Sequence, residues 1–245
     1  MNFPSIALTG LTVSAICALA WSPALAQTVT EPSIPVGTLS AAPTVVQTGT
    51  KPTLTWSISY PSVVKDYITI TPPATVVVKQ DLICDVRVLG AGVTTQNSNG
   101  SINYIETKGQ IRYNGLSSWN TIFDGKETDS IVQKQGIIKT YNVTANRAMD
   151  FAGQYYYNNT WSTQRTSLNG DFVKALVNGD ACPTKIPDYN APSLASFLKP
   201  YLDASNHVKI GPMDMIIFME LTHTNTADIG YDEQDLVFLV TFRTS

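Results

Sequence analysis

Histidine and cysteine are scarce in this chain, with two His and three Cys among 245 residues. A zinc centre of nitrogen and sulfur ligands would have to take both imidazoles and the thiols together, so the count argues against it. Charge is scarce as well. Asp, Glu, Lys and Arg make up 14% of the chain, and 16 basic against 19 acidic side chains leave a net charge of −3. Such a balance excludes the basic surface that nucleic-acid binding requires. No G-x-S-x-G elbow occurs, and His207 and His223 read as turn and surface residues rather than as bases for a nucleophile.

Apolar residues nevertheless reach 43%, enough for a folded core. The N-terminus begins with a small apolar stretch, Ile6 to Ala20, followed by Pro23 and the A-x-A site Ala24-Leu25-Ala26. Residues 1–26 are therefore expected to be a secretory signal, although no Lys or Arg precedes Lys51. The apolar stretch falls short of the ~20 residues that span a bilayer, so no transmembrane segment is expected after cleavage. The expected location is secreted, periplasmic or cell-surface. Cleavage removes Cys17 and leaves Cys84 and Cys182. In an oxidising compartment an isolated pair reads as a disulfide, worth ~4 kcal/mol for so long a loop.

Residues 27–43 are rich in Thr, Ser, Pro and Ala and read as a linker or N-terminal arm. Beyond them the period of two is strong: Leu54, Trp56, Ile58 and Tyr60 alternate with Thr and Ser. Further strands are predicted at 67–70, 75–78, 82–89, 102–105, 110–113, 120–123, 137–144 and 154–157. Asn99-Gly100, Asn114-Gly115, Asp124-Gly125, Asn169-Gly170 and Asn178-Gly179 punctuate them as turn signals. Two segments, Met215–Met219 and Leu236–Val240, are continuously apolar, which predicts central strands covered on both faces. Helix is predicted only around Ser193–Leu202, where Pro200 interrupts an apolar stripe, and around Phe172–Val177. The expected fold is mainly β, an antiparallel β-sandwich with one or two short helices.

The stretch from Pro43 to Tyr60, with Gly49 in a turn and Leu54-Thr55-Trp56 in a strand, resembles the opening of bacterial immunoglobulin-like domains. The resemblance implies a sandwich that serves as a binding or structural module. It suggests an immunoglobulin-like segment over residues 44–95, packed as one unit with a larger β-rich part over 96–245.

Three groups of side chains are candidates for function. Asp228, Asp232 and Asp235 cluster around Gly230, a density of oxygen ligands that suits Ca²⁺ and equally suits a solvated hairpin tip. No other cofactor is expected. Asp203 to Asp214 echoes calcium-loop spacing, but Val208 stands where such a loop needs Gly. Glu106, Asp150, Asp171 and Glu220 are eligible for a hydrolytic carboxylate pair, and Glu220 stands out because it interrupts an apolar strand. Tyr155, Tyr157 and Trp161 belong to the polar-aromatic stretch 154–164 and could stack on sugar rings or on a partner. The leading expectation is a non-catalytic structural or adhesive cell-surface protein that contacts other proteins or copies of itself. A carbohydrate-binding protein is the alternative, and a carboxylate-dependent hydrolase the third reading.

Overall fold

β-Branched and aromatic residues spaced at a period of two shape nearly every element of the molecule. The structure, a computed structural model, describes residues 36–42, 53–59, 62–182, 197–228 and 230–244. The described residues are mainly β, in antiparallel strands with only short helices between them. β1 (Val36–Ala42) and β2 (Thr53–Ser59) pair as an antiparallel ribbon. A one-turn helix, α1 (Val64–Tyr67), leads into β3 (Ile68–Thr71), β4 (Thr75–Val78) and β5 (Leu82–Gly90). β6 (Thr94–Gln96) and β7 (Ile102–Tyr104) form a small hairpin, followed by β8 (Thr107–Tyr113) and β9 (Asn120–Gly125). After α2 (Ser130–Gln133) come β10 (Ile137–Val143), β11 (Ala148–Tyr157), β12 (Thr160–Trp161) and β13 (Arg165–Thr166). β14 (Val173–Val177), β15 (Asp214–Met219) and β16 (Leu236–Thr244) complete the strands.

Two antiparallel sheets result. One runs β10-β5-β16-β15-β14; the other runs β3-β4-β11-β8-β9, with β12 and β13 also paired to β11. Their facing rows form the main core: Cys84, Val86, Val88, Met215, Ile217, Phe238 and Val240 from the first, against Val76, Val78, Ile111, Met149 and Phe151 from the second. The layers approach closely at Gly109, where an added Cβ would overlap the Phe238 ring. The alternate residues of the first sheet, Leu89, Ile216, Phe218, Val237 and Leu239, point the other way. Phe197, Leu198, Val208 and Ile210 cover that second row. The two continuously apolar segments are thus central strands buried on both faces, as their composition requires. Toward β10 this outer face turns polar. There Asp85 takes a hydrogen bond from Arg243 Nε at 2.9 Å and another from Thr140 Oγ1 at 2.6 Å.

Several expectations need correction. Cys84 and Cys182 are both free and buried. Cys84 lies in the core between the sheets, whereas Cys182 lies in the cluster on the opposite side of the five-stranded sheet, so the sheet itself separates the thiols. Residues 172–177 do not form a helix. Val173, Ala175 and Val177 alternate inward as strand β14, a pattern too short for periodicity to tell from a helical turn. Of the second expected helix, residues 191–196 lie outside the described residues, and only a 3₁₀ turn, Lys199–Tyr201, forms around Pro200. Asp124-Gly125 is not a turn but the end of β9, opposite Lys108 and Thr107. The expected turns at Asn114-Gly115 and Asn178-Gly179 do form, with Asn114, Gly115 and Gly179 at positive φ, and a further one forms at Asn158-Asn159. Both residues have positive φ, 51° and 61°, and they join β11 directly to β12. The signal segment 1–26 and most of the arm lie outside the described residues.

Candidate functional site

The antiparallel register of β15 and β16 pairs Phe218 with Val237. Carrying that register two residues outward sets Glu220 against Asp235, and the two side chains hydrogen-bond. Glu220 is fully buried. Its Oε1 accepts from Thr222 N, Thr222 Oγ1 and His223 N at 2.7–2.9 Å. Its Oε2 accepts from Asp232 N at 2.9 Å and Glu233 N at 3.3 Å. One carboxylate therefore ties together both ends of the loop between the strands. Burial pushes Glu220 up, but these donors and the Asp235 contact outweigh it, and the net shift is downward. Asp235 accepts Leu221 N and Thr222 N on Oδ2, at 2.6 and 3.0 Å. Burial, with Glu220 and Asp232 nearby, pushes it well above the usual carboxylate range. The opposite shifts make Asp235 the partner that favours a proton. Both oxygens of Glu220 are occupied by protein donors, so the group organises the loop and presents no free oxygen to a substrate.

The other eligible acids do not meet it across a groove. Asp150 is buried under Arg112 and Thr75, at 2.8 and 2.7 Å. Asp171 is exposed beside Lys174, and Glu106 offers its carbonyl to Tyr156 N. Asp228, Asp232 and Asp235 are not gathered around one point either. Asp228 is exposed and bonded to Asn225 Nδ2, while Asp232 takes Gln234 N and Nε2. Among the described residues, no three His, Cys, Asp or Glu side chains are arranged to hold a metal. The loop ends fold inward around Glu220, which accepts backbone N–H groups from both of them. In the 203–214 segment, Asp203 Oδ1 accepts Ser205 N and His207 N in a tight turn.

The aromatic candidates are divided between two faces. Tyr155 packs against the core between the sheets. Tyr157 is 47% exposed. Trp161 pairs with Tyr156, so those two rings share the outer face, 5.2 Å apart and tilted. Lys108 Nζ sits 3.6 Å over the Trp161 ring and 3.5 Å from Asp124. Two further cross-strand links run parallel to this one: Gln164 to Gln110 at 2.6 Å, and Arg112, which joins Asp150 to the Trp119 ring. The outer face of the second sheet thus carries aromatic rings and long polar side chains linked across its strands. Each such link is worth ~0.2–1 kcal/mol. Sequence reading missed Lys108, Gln110 and Arg112, although their alternation with Gly109 and Ile111 was the signal for a polar face.

Comparison with known proteins finds no relative to guide the reading: no family model matches the chain, and no curated protein or solved structure matches it significantly.

Proposed function

We propose that this is an exported, non-catalytic adhesive or structural component of a cell surface, and that it makes contact through the outer face of its second sheet. The observation that carries the reading is the cross-linked row Asp124–Lys108–Trp161–Tyr156 with Gln110, Gln164 and Arg112 beside it. Among the described residues no helix packs over this face, whereas the central strands of the other sheet are covered on both sides. A half-buried row of amphipathic rings and fixed polar groups suits contact with another protein. The immunoglobulin-like resemblance of residues 43–60 points the same way by fold analogy.

Native mass spectrometry and sedimentation of the mature chain test the proposal. Concentration-dependent multimers that weaken in Lys108→Glu and Trp161→Ala variants are expected. A strictly monomeric chain with a hydrolytic activity lost in Glu220→Gln would overturn it. Partial exposure of Trp161 and Tyr157 also favours a second reading, polysaccharide binding. In that case polysaccharide would retard the chain in affinity electrophoresis, and Trp161→Ala would abolish the shift.

A further inference from the structure

Glu220, Asp232, Glu233 and Asp235 lie at the base of the β15–β16 loop with side chains 0, 7, 6 and 6% exposed. Among the described residues no Lys or Arg forms an ion pair with any of them; His223 Nδ1, 3.7 Å from Glu220 Oε1, is the one basic group at ion-pair distance. Two buried oxygens have no hydrogen-bond partner: Glu233 Oε2 and Gln234 Oε1, the latter on a side chain 3% exposed. Gln234, Asp232 and His223 line a cavity of about 100 Å³ beneath the loop, room for waters or a proton path but not for a sugar. Glu233 is also held at φ 55°, in the left-handed region that a residue with a long side chain adopts only under constraint. Further groups reach the cluster electrostatically. Lys174 on β14 and Asp171 before it act on Glu233, Tyr231 and Cys182 lie beside Glu233, and Arg165 on β13 acts on Tyr231. Positive charge is thus outnumbered at the site.

Buried carboxylates without cations favour taking up protons over keeping charge. We infer that the base of the β15–β16 loop, Leu221–His223 with Asp232–Gln234, is a proton-held latch, closed over the strand ends while Asp232 and Glu233 are protonated and released when they ionise. Burial raises Asp232 to about 6 and Glu233 to about 7. Ordinary carboxylates in an opened loop titrate near ~4. At Asp232 and Glu233 the closed loop therefore binds protons more tightly than the open one, so their contribution to closure is complete below ~4 and is lost as pH rises through 6 and 7. Glu220, shifted downward, works the other way: its carboxylate holds the loop ends throughout that window, and its contribution is lost only as pH falls through its lowered value.

Hydrogen exchange on the whole chain tests this by following the amides of Leu221, Thr222, His223, Asp232 and Glu233. After correction for intrinsic rates, their protection should fall roughly tenfold or more between about pH 5 and about pH 9, while the amides of β15 hold theirs. The Asp232→Asn, Glu233→Gln double variant mimics the protonated state and should keep its protection across that range. Protection of the wild-type loop that does not change with pH would overturn the inference, and so would a double variant that keeps the wild-type pH dependence. Should the double variant not fold, Asp232→Asn alone should shift the wild-type profile toward higher pH, and an unmoved profile would count against the latch.

Discussion

The close approach at Gly109 offers a direct test of how the sheets are stacked. A methyl group at Gly109→Ala would overlap the Phe238 ring and press on Leu236, both central to the opposing sheet. Overpacking of this kind costs ~1–3 kcal/mol. Replacing a strand glycine by alanine returns ~0.4–1 kcal/mol through the unfolded chain, which leaves a net loss of ~1–2 kcal/mol. At ~2–4 °C per kcal/mol for a chain of this size, the melting temperature should drop by several degrees. Phe238→Leu alone should cost ~1–2 kcal/mol by opening a cavity at the same spot. The two changes should relieve each other, so the double variant is expected to be more stable than the sum of the singles by at least ~1 kcal/mol. Urea unfolding of the four proteins measures this cycle. A stable Gly109→Ala protein, or strictly additive losses, would show that the ring and the glycine do not face each other and would undo the assigned packing of β8 against β16.

Other outcomes can be checked with equal economy. Both thiols should resist a small disulfide reagent in the native protein and react after unfolding, because burial pushes Cys182 to about 12 and Cys84 higher still; an unreduced, denatured chain that accepts no alkylating agent would restore the bridge. Asp85 is held below the usual carboxylate range, chiefly by its hydrogen bond from Arg243, so its contribution is present above ~4 and lost as pH falls through its lowered value. Asp85→Asn should therefore flatten the acid side of the stability curve, and an unchanged acid limb in thermal melts would refute that. Lys108→Met should cost no more than ~1 kcal/mol, and the loss should vanish in a Trp161→Ala background if the ammonium acts through the ring.

Much of the architecture was legible because local pattern and tertiary role agree. The alternation in Leu82–Leu89 placed Leu82, Cys84, Val86 and Val88 on one face, and all four sit in the core between the sheets. The unbroken apolar residues of 215–219 and 236–240 marked strands with two covered faces. What failed were inferences that needed to know which side of a sheet a residue takes, or what lies across from it. Cys182 follows a strand whose register was unknown, so counting thiols could not reveal the sheet between them. Glu220 stood out as a polar break in an apolar segment, but Asp235 becomes its partner only through the pairing of Phe218 with Val237. Trp161 was grouped with Tyr155 and Tyr157 by proximity in the chain, whereas the Asn158-Asn159 turn pairs it with Tyr156 on the other face.

β16 comes last in chain order among the described strands, yet it lies between β5 and β15. Until residues 236–244 are in place, β10-β5 and β15-β14 are separate ribbons, each with a bare edge where the other half should dock. Joining them requires contacts between segments far apart along the polypeptide, an order of events that makes for slow assembly and leaves sticky intermediates waiting for one strand. Any truncation that removes that strand should split the sheet through its middle rather than trim its margin.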